Sequence, residues 1–324
     1  MSTLRARAAA TAVLLAVAAA GCGVGPGEPD EGTAALTVTR DHGSELLLEA
    51  SEENPSASES VVRFLDRESE IETSFGGNFV DAIDGLSGTI EGGRSLDWFF
   101  YVNGYWSPVG AGEATVRGGD RIWWDYRDWT DAYRVPAVVG SYPQPFVDGS
   151  DGERFEVEVI CFDAEVACDD VESRLDEVGA TVEQLGSSAP GGAPDTTLRV
   201  LVGSWAEIRD DRAAALLEQG PGESGVYAIP EACESGGYAL STLNDHAEPT
   251  GILTDVAWVA AVRRGEEQPT WVVTASGADL VREAAGLLDA DTLAQHYALA
   301  VSGGERVRLP TETAPPTDMG GGCA

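Results

Sequence analysis

The sequence predicts an α+β protein built from two successive parts, a small β-rich domain with one helix and then an α/β domain. Three observations carry this. Residues 97–126 hold four tryptophans, three tyrosines and two phenylalanines, in two runs whose side chains alternate with the period of a strand. From residue 153 onward, strand-like runs alternate with helix-like ones, the pattern of helices laid on a sheet. Between the two, residues 135–152 are rich in Pro and Gly and read as a linker.

The first domain is expected over residues 34–134. It opens with "ALTVTR", residues 35–40, whose alternation predicts a strand, and "ELLLEAS", 45–51, is placed to pair with it. "SASESVVRFLDRE", 56–68, predicts a helix: a serine can cap it, and Val61, Val62, Phe64 and Leu65 make an apolar stripe at helical spacing. "IETSFGGNFVDAIDGLSG" follows, with Gly-Gly-Asn turn chemistry between short apolar runs.

Two further strands are joined near Asn103-Gly104, a pair that tolerates positive φ. In the first strand Trp98, Phe100 and Val102 face one way, and Phe99 and Tyr101 the other. In the second, Ile122, Trp124 and Tyr126 share one face, and Arg121, Trp123, Asp125 and Arg127 share the other. The charged residues make that second face read as a wet side. Trp98, Phe100, Ile122, Trp124 and Tyr126 are therefore expected in the core. Phe99, Tyr101, Tyr105, Trp106, Trp123 and Trp129 have no assigned place inside. They form either a ligand surface or the contact with the second domain.

The second domain is expected over 153–310, as an α/β sandwich. "ERFEVEVIC" is a strand and "DDVESRLDEVGA" a helix, closed by Gly179. "TLRVLVG" followed by "SWAEIRDDRAAALLEQG", and "TWVVTAS" followed by "GADLVREAAGLLD", are two more strand–helix units. Strands are also expected at Val256–Arg264 and Tyr297–Leu309, and the Thr/Pro/Gly-rich tail 311–324 is expected to be disordered.

The N-terminus points to a location. Arg5 and Arg7 precede a short apolar run from Ala8 to Ala20, a signal-peptide pattern too short to span a bilayer comfortably. The run ends in "AAGC", which resembles a lipobox. Residues 1–21 are read as a lipoprotein signal, Cys22 as the lipidated residue and 22–33 as a tether. The mature chain is expected on the extracytoplasmic face of the cell membrane, anchored to it and not spanning it.

The chain carries 55 acidic and 20 basic residues, for a formal net charge of −35, and has no lysine. Such a body is repelled by nucleic acid and by anionic membrane surfaces. Of the five cysteines, four remain once Cys22 is lipidated, an even number for an oxidising compartment. Cys161 and Cys168 lie at the end of a strand and near the start of a helix, and are expected to pair. No metal site is expected, because the cysteines and the three histidines, His42, His246 and His296, fall in no ligand spacing. No phosphate loop, nucleophile elbow, zincin helix or calcium loop is present. No catalytic residue and no cofactor are therefore assigned.

"FGGNFVDAIDGLSG", "DWFFYVNG" with Trp98, Val102, Asn103 and Gly104, and "GGDRIWWDYRDW" with Gly119, Asp120, Trp124 and Tyr126 occur in this order, followed by "RVPAVVGSYPQPF". Over residues 35–146 the chain resembles small extracellular β domains similar to the C-terminal domain of transcobalamin, many of unknown function. The resemblance implies a β-grasp-like sheet with one helix. In transcobalamin-like proteins this domain helps to enclose cobalamin against a helical barrel, for which this sequence has no counterpart. Two functions are expected. One is a non-enzymatic cell-surface lipoprotein that captures a small ligand, such as cobalamin or another corrinoid, for a membrane importer. Its ligand-binding residues would be Tyr101, Asn103, Tyr105, Trp106 and Trp123. The other is a structural or protein-interaction lipoprotein of the envelope with no small ligand.

Overall fold

A computed structural model describes residues 29–186, 196–234 and 236–312. The signal peptide 1–21, Cys22, most of the tether and nearly all of the tail 311–324, with Cys323, lie outside the described residues. The described part is a mixed α and β structure with several sheets and few helices.

The N-terminal half contains β1 (Thr33–Arg40), β2 (Glu45–Glu53), α1 (Val61–Glu68), β3 (Ile71–Ser74), β4 (Phe79–Ile83), β5 (Leu86–Ser87), β6 (Thr89–Glu91), β7 (Arg94–Val102), β8 (Tyr105–Trp106) and β9 (Arg121–Asp128). Its main sheet runs β2-β1-β9-β7-β6, with β8 paired to β7, and β3-β4-β5 make a small second sheet. β1 and β9 are parallel, whereas β7 and β9 are antiparallel and pair Phe100 with Trp124. One face of the sheet is the expected core: Trp98, Phe100, Ile122, Trp124 and Tyr126 pack with Leu36, Val38 and the Val61, Phe64 and Leu65 stripe of α1.

Two local expectations change. The helix expected from 56 begins only at Val61, and the side chain of its N-cap, Ser60, makes no capping hydrogen bond. The stretch before it is held by the backbone instead, with Val61 N donating to Ala114 O and Glu59 N to Ser56 O. The Asn-Gly turn is as expected, with Asn103 at φ 54° and Gly104 at φ 82°.

The C-terminal half contains β10 (Glu156–Phe162), α2 (Glu165–Glu177), β11 (Val182–Gly186), β12 (Thr197–Ser204), α3 (Trp205–Ile208), α4 (Pro221–Ser224), β13 (Ala228–Ala232), β14 (Tyr238–Leu243), β15 (Pro249–Leu253), β16 (Val256–Val262), β17 (Thr270–Ala275), α5 (Val281–Gly286), α6 (Ala290–Leu293), β18 (Ala298–Ser302) and β19 (Glu305–Leu309). Its seven-stranded sheet runs β11-β10-β12-β17-β16-β18-β19. The first four strands are parallel and the last three join antiparallel.

Strict alternation sends Val200, Val202, Val259 and Trp271 to the face covered by α2 and α5. It sends Leu201, Trp258, Ala260 and Val272 to the opposite face, under Trp205 and Leu217. Both faces are apolar because both are covered.

The helix expected over "SWAEIRDDRAAALLEQG" is broken after Ile208. Asp211 accepts from Ala213 N (2.8 Å) and from Arg199 (2.6 Å), so its side chain fixes the bend that leads into a new turn at 214–219. The strand expected from Tyr297 to Leu309 is a hairpin, folded at Gly303 and Gly304, both at positive φ. Cys161 and Cys168 are disulfide-bonded as expected, and Cys233 is disulfide-bonded as well. The Pro/Gly segment 135–152 packs into the structure, with Tyr142 and Phe146 against Trp271 in the second sheet's core.

Candidate functional site

The face of β9 that reads as wet in the sequence is buried. Trp123, Asp125 and Arg127 lie between the two halves, with Tyr101 beside them on β7. The cover comes from Tyr227 and Tyr297 of the C-terminal half, from Ala132 at the end of the first half, and from Val135 and Val138 of the connecting segment.

This contact is polar and extensively bonded, with Arg127 Nε left as a buried donor without a partner. Asp125 Oδ1 accepts from Thr39 Oγ1 (2.6 Å) and Gly43 N (3.0 Å), and its Oδ2 accepts from Tyr297 OH (2.8 Å). Thr39 Oγ1 in turn accepts from Trp123 Nε1 (2.7 Å). Tyr101 OH donates to Tyr297 OH (3.3 Å), and His42 Nε2 pairs with Tyr227 OH (3.1 Å). Burial raises the Asp125 carboxyl above its usual range, and the three hydrogen bonds oppose the shift. Burial, reinforced by the nearby Arg127, drives His42 well below the usual imidazole range.

Asn103 is equally committed. Its Nδ2 donates to Asp120 Oδ1 (2.8 Å) and Gly149 O (2.9 Å), and its Oδ1 accepts from Arg121 N (2.8 Å). Both its amide hydrogens and its carbonyl oxygen are engaged, so it fastens the turn at 103–104 to that at 118–120 and to the connecting segment. Burial lifts the Asp120 carboxyl to about 6.

Four of the five residues picked out as a ligand face, Tyr101, Asn103, Tyr105 and Trp123, are thus buried and bonded within the protein. The correction has a physical reason: alternation places residues on a common face but does not say what covers that face.

Of the five only Trp106 is partly exposed, with the buried Tyr105 beside it. They line an open cleft of about 150 Å³ where the halves meet, with Pro108, Asp151, Phe155, Arg263 and Gln268. Tyr105 OH donates to Gln268 Oε1 (2.7 Å), and the Arg263 guanidinium lies 5.5 Å from the centre of its ring. The Arg134 guanidinium lies 5.6 Å from the Trp106 ring, which meets Tyr133 edge to face. The cleft offers aromatic surface, one guanidinium and two acidic residues, Asp151 and Glu153. It suits a ring-bearing polar ligand held at one edge.

Sequence reading missed one charged cluster. Asp128, Asp245 and His246 bring ligand-type atoms within 4.8 Å of one another. Arg94 bridges the two carboxylates, donating to Asp128 Oδ2 (2.9 Å) and to Asp245. The guanidinium already supplies the cation there, and a metal ion would have to displace it. Asp245 and His246 are more than a hundred residues from Asp128, so no local spacing announces the cluster.

The imidazoles give a pH prediction. Burial holds His296 down to about 4. A histidine depressed in the folded state is neutral in both states above pH ~6.5. Below that, the unfolded chain takes up the proton first, so stability is lost as pH falls from ~6.5 through the folded value. Asp120, raised to about 6, acts in the opposite sense over an overlapping range. The test is therefore a difference between two proteins. Urea unfolding at pH ~6.5 and ~4.5 is expected to show the wild type losing about 2 kcal/mol relative to His296→Gln. Equal pH dependence in the two would mean that His296 titrates normally.

Residues 58–128 match the profile of a family described as a domain of unknown function, DUF4430. No curated protein matches the chain. Among solved structures it is similar to one from Ruminococcus gnavus described as a "putative metal binding protein". The identity is 17%, over 30% of this chain and 98% of that one, with a TM-score of 0.24. A likeness at that score supports no inference about fold or ligand. No helix among the described residues is long and apolar enough to cross a membrane.

Proposed function

We propose that the protein is a non-enzymatic binding lipoprotein, lipidated at Cys22 on the extracytoplasmic face of the membrane, which holds a small ligand at the Tyr105–Trp106 cleft for delivery to an importer. The observation that carries this reading is the cleft itself. There the partly exposed Trp106, with the buried Tyr105 beside it, faces Arg263 and Gln268 of the second half of the chain. The signal-peptide pattern and the "AAGC" sequence support the anchor. The volume of about 150 Å³ falls below the ~300–1,000 Å³ of sites that engulf a ligand. A corrinoid would be gripped at its edge and not enclosed.

A second reading, a structural or protein-interaction lipoprotein, is favoured by the enclosure of Tyr101, Asn103 and Trp123. Thermal unfolding with cyanocobalamin, cobinamide and simple sugars separates the two. A ligand at one hundred times its dissociation constant adds about 2.7 kcal/mol. The expected result is stabilisation of the wild type by one of these ligands and none in Trp106→Ala. Stabilisation that persists in Trp106→Ala moves the site elsewhere, and no stabilisation by any of them favours the second reading.

A further inference from the structure

A groove of about 400 Å³ lies along the edge of the first sheet, separate from the Tyr105–Trp106 cleft. One wall is Phe79 and Asp81 of β4, the other is Leu96 and Asp97 of β7, and Trp129 and Ile90 complete the lining. Its floor is the chain at Ser87–Gly88, where it crosses from the small sheet to the large one.

The groove is built from fixed parts. Trp98 Nε1 donates to Leu86 O (2.8 Å), and Tyr126 OH donates to Ser87 O (2.8 Å). Both donors are core aromatics, so the floor is tied to the rigid centre of the sheet. Trp129 is held by its backbone N–H on Ser95 O (2.9 Å).

Two features of the groove are out of keeping with an idle surface. The first is apolar exposure. Ile90 is 81% exposed and Phe79 42%. Large apolar side chains gathered on one patch mark interaction surfaces. The second is charge. Asp81 Oδ1 accepts only a hydroxyl, from Ser74 (3.1 Å), and Asp97 Oδ1 accepts the Trp98 N–H (2.9 Å). Neither carboxylate is in an ion pair among the described residues, whereas Asp128, Asp148 and Asp211 each hold an arginine. Burial raises the Asp97 carboxyl, and the neighbouring Asp81 charge adds to the shift. The protein thus keeps two adjacent half-buried carboxylates, beside aromatic rings, without a cation of its own.

We propose that this groove binds a small organic cation: an ammonium or guanidinium on an apolar body. The carboxylates of Asp81 and Asp97 take its N–H groups and its charge. The rings of Trp129 and Phe79 add cation–π attraction, and Leu96 and Ile90 cover the apolar part. The net charge of −35 raises the local concentration of such a ligand. The site uses none of the residues of the Tyr105–Trp106 cleft, so either can fail without the other.

The test is calorimetric titration of the full chain with phenethylamine, agmatine and choline, and with 2-phenylethanol as the neutral counterpart of the first. At least one amine is expected to bind, with the neutral alcohol weaker by about tenfold or more. Asp81→Asn and Asp97→Asn are each expected to weaken that amine by about tenfold. The new amide oxygen at 97 still accepts from Trp98 N, so the fold is kept. Gly88→Ala retains both charges but places a methyl 2.8 Å from Asp97 Oδ1, and is expected to weaken binding as well.

A resonance shift of the Trp129 indole N–H on adding amine, absent with the alcohol, reports the site in unaltered protein. Equal affinity for amine and alcohol overturns the proposal. So does binding that survives the double change Asp81→Asn with Asp97→Asn, or no binding of any of the three cations at millimolar concentration. Capture of a lysine-containing peptide without any binding of free amines overturns it in favour of a protein partner.

Discussion

Arg127→Ala is expected to cost about 3–5 kcal/mol of stability, the range for removing one member of a buried charged network. Arg127 is fully buried between the two halves. It donates to the carbonyls of Asp128 (3.1 Å), Ala132 (2.9 Å) and Tyr133 (3.1 Å), and its guanidinium lies 4.0 Å from the centre of the Phe99 ring. Alanine would orphan these carbonyls and remove the cation whose charge Asp125 feels. Arg127→Lys is expected to recover only part of the loss, since an ammonium lacks the planar fork that reaches Ala132 O and Tyr133 O together. Urea unfolding of the full chain, followed by tryptophan fluorescence, measures both. A loss below about 1 kcal/mol for Arg127→Ala would show that the network contributes specificity and little stability.

Trp123→Ala is expected to cost a similar ~3–5 kcal/mol. The indole lies 5.3 Å from Tyr297 and 5.7 Å from Tyr101, centre to centre, and donates to Thr39 Oγ1. Backbone closes on it from both halves. A Cβ added at Gly43 or Gly140 would sit 2.8 Å or 2.7 Å from the Trp123 ring, and at Gly140 it would also meet the His296 backbone. The cavity left by alanine would therefore be walled by rigid chain and would not collapse easily. Trp106→Ala, at a half-exposed position in the cleft, is expected to cost less than about 1 kcal/mol. Calorimetric unfolding of the two variants side by side tests the contrast. Equal losses would mean that Trp106 is as much a structural residue as Trp123, and would remove the main support for the cleft as a binding site.

Much of the fold was legible from local pattern. The alternation in "DWFFYVN" and "RIWWDYR" named the five aromatic and aliphatic residues of the first core correctly. The Asn-Gly pair gave the turn, and the seven-residue spacing of Cys161 and Cys168 gave the disulfide. Local pattern failed where a side chain competed with the backbone. At Asp211, whose side chain accepts from Ala213 N, an otherwise plausible helix gives way to a separate turn.

The candidate site was less legible. Trp106 and Trp123 look alike in sequence, each an aromatic with no assigned core. The groove at Phe79, Asp97 and Trp129 draws its walls from separate strands, and no single stretch carries it.

The sequence by itself determined which residues share a face, because strand geometry imposes a period of two whatever lies around it. Trp123, Asp125 and Arg127 had to project together. Only the tertiary structure decided that this face is interior. Two charges on one strand face ordinarily mean water, since an unpaired buried charge is costly. Here the cost is offset by partners far along the chain: Tyr297 donates to Asp125 across 172 positions, and Tyr227 meets His42 across 185. Hydrogen bonds of that range leave no mark in local composition or spacing. The same three residues, two of them charged, therefore read as a wet surface in the sequence and become the cement between the two halves in the folded protein.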